Sequence, residues 1–173
     1  MKRNFLTLLF AVLMTGSICS LNAQNFYTHS VGAVGGSVLG ASYQTHLLDD
    51  FVLGADFGLQ LTYAAGQGGM HGDIMTLQLN PNAMYAYNFA KNLNGLFGGG
   101  LSLGYSFLGF GFNRYNAGKF GINGLAGVEY KFDIPLVLQA DLRPGYGLIF
   151  GGMGGGWSYF DWSAVVSVRY ILK

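Results

Sequence analysis

Very few residues of this 173-residue chain can do chemistry, and six of them stand out: Asp56, Glu129, Lys131, Asp141, Arg143 and Arg169. Each lies within a stretch that alternates large apolar with small or polar residues, and each falls in the polar row. Three acids and three bases on inward rows invite ion pairing. Buried charges persist only when paired, because removing one partner strands the other at a cost of roughly 3–5 kcal/mol. The other candidates are thinner. His71-Gly72-Asp73 sets an imidazole near a carboxylate, the beginnings of a base and its orienter, but no serine follows at an evident spacing to act as nucleophile. His29, His46 and His71 are too scattered to predict a metal site. Gly151-Gly152-Met153-Gly154-Gly155-Gly156 lacks the lysine and the following helix of a phosphate-cradling loop. The sequence therefore predicts no catalytic, cofactor-binding or metal-binding residue.

The elements that must position the six charges are strands. From Phe51 to Tyr63, the residues Phe51, Leu53, Ala55, Phe57, Leu59, Leu61 and Tyr63 share one face, opposite Val52, Gly54, Asp56, Gly58, Gln60 and Thr62. The rhythm returns in Phe97 to Phe107 against Gly98, Gly100, Ser102, Gly104 and Ser106. It closes the chain in Phe160 to Leu172, against Asp161, Ser163, Val165, Ser167 and Arg169. We expect strands over 51–63, 73–89, 95–107, 119–131, 136–149 and 158–172. Short connectors (47–50, 90–94, 132–135) alternate with longer glycine-rich ones (64–72, 108–118, 150–156). Residues 25–46 hold either a hairpin, 26–34 with 37–46 about Gly35-Gly36, or one long strand from Val31 to Leu47.

The N-terminus reads as a secretory signal: Lys2 and Arg3, an apolar core from Phe5 to Met14, then Leu21-Asn22-Ala23 before Gln24. We expect residues 1–23 to be cleaved and 24–173 to form one domain. The core is about half of the roughly 20 apolar residues a membrane helix needs. Cleavage removes Cys19 and two basic residues, leaving seven basic and eight acidic side chains, a balance without a nucleic-acid footprint. Charged residues make up only 10% of the chain, against about 25–35% for a soluble surface. No apolar run predicts a helical span, because Gly95 to Phe112 is crowded with glycine and alternates at period two.

The expected fold is all-β: a transmembrane antiparallel up-and-down β-barrel of about eight strands. Tight turns at one end and longer loops at the other are the habit of such barrels. Volume decides which row points inward. Eight strands enclose a space just wide enough for side chains to fill, and the row of Leu, Phe, Tyr and Trp would overfill it. That row faces lipid. Its aromatics cluster toward strand ends, among them Phe51, Tyr63, Phe89, Phe107, Tyr130 and Trp162, as in interfacial girdles.

In this pattern the chain resembles the small outer-membrane β-barrels of the OmpA, OmpX and OmpW kind. Ser163 to Lys173 is similar to that family's C-terminal assembly signal, with Tyr170 and Leu172 at its hydrophobic positions and Lys173 in place of a terminal aromatic. The resemblance implies a Gram-negative outer-membrane location with periplasmic termini. It also implies contact with membrane lipid and lipopolysaccharide, and passage through the barrel-assembly machinery. Eight-stranded barrels that modify lipid A use a histidine with a serine and a carboxylate, and no His-x-Ser pair of the deacylase type occurs on the later strands. The expectation is a non-enzymatic barrel with a structural or envelope-interaction role. A narrow conduit is the alternative, and a lipid A-modifying enzyme stands third. A weak partner is conceivable at the outer loops through Met70, His71, Asn113, Arg114, Tyr115, Asn116 and Trp157.

Overall fold

The computed structural model describes residues 27–48, 50–65, 71–110, 113–151 and 155–172. The expected signal segment lies outside them. Eight antiparallel strands run in sequence order round a closed barrel. They are β1 (His29–Gly36), β2 (Leu39–His46), β3 (Phe51–Ala65), β4 (His71–Ala90), β5 (Leu93–Phe110), β6 (Asn113–Lys131), β7 (Leu136–Gly151) and β8 (Gly155–Leu172). The hairpin is thus the correct reading of the N-terminal segment, and the single long strand is not. Its turn falls at Ser37-Val38, two residues beyond the expected glycine pair, with Gly36 at φ 106°. That angle suits a residue without Cβ.

Period two governs the wall throughout. In β7, Val137, Gln139, Asp141, Arg143, Gly145 and Gly147 are buried while Leu138, Ala140, Leu142, Tyr146 and Leu148 are exposed. Phe57, Tyr85, Phe97, Ile122, Phe160 and Trp162 are likewise among the large apolar side chains left outside. So much exposed hydrocarbon belongs against lipid, where alternation of apolar-out and polar-in is the rule.

Three loop expectations are corrected. Residues 64–72, 108–118 and 150–156 were expected as longer connections, but β3 and β4 pair as far as Ala65 with His71, β5 and β6 as far as Phe110 with Asn113, and β7 and β8 as far as Gly151 with Gly155. Glycine does not end the pairing here, because it lacks only a side chain and keeps the N–H and C=O that the ladder uses. The residues proposed as a loop surface shift accordingly. Asn113, Arg114, Tyr115 and Asn116 belong to β6, Trp157 to β8 and His71 to β4, while Met70 lies outside the described residues. The inner turns stay short, and Asn92 takes φ 69° between β4 and β5, a left-handed position asparagine tolerates.

One inward glycine illustrates the tightness of the coil. A Cβ on Gly40 would lie 2.1 Å from the Phe57 carbonyl oxygen and 2.5 Å from Gly58 Cα, both backbone atoms. Gly40→Ala therefore has to push β2 off β3, an overpacking error of about 1–3 kcal/mol. A lowered urea midpoint of the refolded barrel is the expected result, and an unchanged midpoint would show that β2 is free to move.

Candidate functional site: the barrel lumen

The lumen is built in three tiers. At the inner end, where β1 starts and β8 ends, Val52, Met84, Ala86, Leu96 and Leu125 form a buried apolar cluster. The polar, ion-paired interior expected from the sequence thus rests on an apolar layer at its inner end. The parity rule placed Val52 inward beside Asp56 without weighing what an apolar residue there would do.

Beside the cluster sits the first charged group. Arg169, wholly buried, donates from Nη2 to Glu129 Oε2 at 3.0 Å, from Nη1 to Ser167 Oγ at 2.6 Å and from Nε to Ser30 Oγ at 3.2 Å. It also reaches Gln139 Oε1. Glu129 in turn accepts from the Tyr27 hydroxyl at 2.6 Å, from Gln44 Nε2 at 2.9 Å and from Asn94 Nδ2 at 3.4 Å. Tyr27 precedes β1, so a residue outside the strands turns into the barrel mouth and stacks edge-on against His46. Burial first, then the Glu129 carboxylate, push its phenol well above the usual tyrosine range, so it remains a donor.

The second group lies one tier outward. Arg143 donates from Nη1 to Asp56 Oδ2 at 2.6 Å and from Nη2 to Asp141 Oδ2 at 2.8 Å. Gln139 Nε2 bridges the tiers by donating to both Asp141 oxygens at 2.8 Å. Five of the six charges singled out in the sequence thus meet in two groups, Glu129 with Arg169 and Asp56 with Arg143 and Asp141. Lys131 continues the row of Glu129 and is half-buried at the inner end of β6.

A third pair was not anticipated. Lys119 of β6 donates from Nζ to Gln60 Oε1 at 2.9 Å and to Asp161 Oδ2 of β8 at 3.4 Å, and lies 4.6 Å from the centroid of the Tyr159 ring. Its signal was present: Lys119 shares the parity of Glu129, and Asp161 that of Arg169. Asp161 stood in the polar row of its expected strand but was not counted among the inward charges, and Lys119 stood at the very end of its own, whereas β6 runs six residues further out, to Asn113.

Between the second and third tiers a cavity of about 20 Å³, room for one water, touches Gln78, Asn123 and Arg143. Val38, at the hairpin tip, is buried and folds over the same space. Outward of it the lumen widens into a vestibule of about 400 Å³ around Lys119, Gln60, Thr76, Ser106 and Asp161. Among the described residues no cluster of His, Cys, Asp and Glu is arranged to hold a metal ion. His71 and Asp73, the imidazole and carboxylate weighed for acyl chemistry, stand opposite Ala65 and Tyr63 in the β3–β4 ladder.

An eight-stranded ring with apolar side chains outside and paired charges within is the architecture of the small outer-membrane β-barrels. Two solved structures share it with this chain. The N-terminal β-barrel domain of Pseudomonas aeruginosa OprF superposes with a TM-score of 0.59 at 19% identity, over 86% of this chain and 98% of that one. Neisserial surface protein A (NspA) does so with a TM-score of 0.53 at 18% identity, over 83% and 94%. No protein-family model matches the sequence, and no curated protein matches it.

Proposed function

We propose that the protein is an integral outer-membrane barrel, termini on the periplasmic side, whose lumen is closed, so that its role is structural or interactive and is carried by its wall and outer rim. The observation that carries this reading is the stacking of two buried ion-pair groups on an apolar cluster. Arg143 bridges Asp56 and Asp141, Arg169 is clamped by Glu129, and Tyr27 fills the inner mouth. A conducting path would have to part pairs whose separation strands charges in a low dielectric. The exposed apolar wall suits contact with lipid and lipopolysaccharide, and the β8 segment that resembles an assembly signal suits delivery by the barrel-assembly machinery.

The test is single-channel recording on the chain refolded into a planar bilayer, after heat-modifiable gel migration has shown a folded barrel. The expected record is flat. Reproducible steps that change in size on Arg143→Ala would overturn the closed lumen and make the protein a conduit.

A further inference from the structure

The wall of this barrel is not equally tall all round. β1 and β2 have 8 residues each, whereas β3 to β8 have between 15 and 20. The β2–β3 ladder stops at Leu39 with Leu59, and the β1–β8 ladder at Gly36 with Val165. Ser37 seals that end, its amide donating to the Ala164 carbonyl at 2.9 Å and its hydroxyl accepting from the Ala164 amide at 3.0 Å. Further out, and among the described residues, residues 60–65 of β3 and 155–163 of β8 are paired only on the side away from the hairpin. Two strands are missing between them, three strand spacings or about 14 Å.

This notch stands at the height of the apolar belt. Leu148 and Phe150 on β7, and Phe160 and Trp162 on β8, lie level with it and point outward, Phe160 at 62% and Trp162 at 68% exposure. The vestibule borders it, because its lining joins Ser37 at the hairpin tip to Gln60 of β3 and to Tyr159, Phe160, Asp161 and Trp162 of β8, the two strands that flank the notch. Its polarity is split. Toward the lumen stands Lys119, a cation with 9% exposure and three donors facing two protein oxygens. Toward the lipid stand the rings of Phe160 and Trp162, while Ile149, on the inward row of β7, stands on the lumen side.

We propose that the notch is a lateral binding site for a single-chain amphiphile, its anionic or hydrogen-bond-accepting head on Lys119 and its chain against Phe160 and Trp162. The inference rests on the membrane placement proposed above. A cavity of about 400 Å³ is of the size that small ligands fill. Backbone groups at an open sheet edge are not left to hydrocarbon, so a polar head with its hydration at the notch also serves the free edges of β3 and β8. A single peptide strand suits the space less well, since it would pair one edge and leave the other bare across the remaining width.

The experiment uses tryptophan quenching. The chain contains Trp157 and Trp162, so Trp157→Phe leaves Trp162 as the reporter at the notch, and Trp157→Phe with Trp162→Phe and Leu103→Trp provides a reporter on plain wall. Each is refolded into phosphatidylcholine vesicles. In one arm a brominated lysophospholipid is built into the bilayer, and in the other a brominated fatty acid is added from water. Saturable quenching of Trp162 at a mole fraction at least tenfold below that affecting the wall reporter is expected. Saturation in the first arm identifies a ligand arriving from the bilayer, and in the second alone a ligand arriving through the vestibule. Lys119→Met weakens the saturable component at least tenfold and Lys91→Met, at an inner turn, leaves it unchanged. Ser37→Phe, which fills the notch floor without altering Lys119, removes it as well. Equal quenching of both reporters, or indifference to Lys119→Met and Ser37→Phe in barrels that still migrate as folded, overturns the site while leaving the membrane reading intact. Failure of a brominated phospholipid bilayer to quench the wall reporter overturns both.

Discussion

Arg143→Ala lowers the unfolding free energy of the barrel by about 3–5 kcal/mol, because it leaves two carboxylates buried in the middle tier with no cation. Arg143 Nη1 and Nη2 each hold one of them, Asp56 at 2.6 Å and Asp141 at 2.8 Å, and the three side chains are almost wholly buried. Part of the loss is recoverable. Neutralising both acids in the triple variant Arg143→Ala, Asp56→Asn, Asp141→Asn removes the unpaired charge, so urea titration in detergent should place this variant above the single one. Equal midpoints for the single and triple variants would mean that water already reaches the tier and screens the carboxylates.

The second large effect concerns the outer face. Leu103 lies midway along β5, opposite Leu79 and Phe120, with its side chain exposed. An arginine near the bilayer midplane costs about 2–4 kcal/mol, so Leu103→Arg is expected to fold poorly into vesicles. Its neighbour Ser102 points inward and accepts a 3.3 Å hydrogen bond from Asn123. Ser102→Ala should lose only about 1 kcal/mol. Folding yield by heat-modifiable migration checks both, and equal yields would show that the assignment of faces is inverted.

These effects follow from the same alternation that made the fold legible. Where lipid lies on one side of a strand and a crowded lumen on the other, every second residue answers to a different solvent, and Phe51 to Tyr63 records this without a break. The signal fades where that contrast fades. Residues 64–72, 108–118 and 150–156 carry glycine on both rows, so composition suggested loops although the backbone remains paired as far as Ala65 with His71, Phe110 with Asn113 and Gly151 with Gly155. Truncating β6 left Lys119 at a strand end, so its pairing with Asp161, already in the polar row of the last strand, went unread. The inner apolar cluster escaped for a different reason. Val52, Met84, Leu96 and Leu125 come from four strands, and nothing local in any of them announces the meeting. The pairing of Glu129 with Arg169 was more accessible, since both sit on inward rows near the inner end two strands apart. The notch was the least legible feature, because it arises from what the short hairpin lacks relative to its neighbours.

The hairpin also bears on how the ring is made. Its first strand meets the last along eight rungs, from His29 with Leu172 to Gly36 with Val165, whereas the ladder of β5 with β6 has eighteen. All other neighbouring strands are adjacent in sequence and can zip as hairpins, but this seam joins the two ends of the barrel and bears the loop-closure entropy of nearly the whole chain. It therefore forms last and opens first. Hydrogen exchange should find the amides of β1 and the inner half of β8 the earliest to trade, with the barrel breathing at its seam as a partly unrolled sheet while β4, β5 and β6 stay locked.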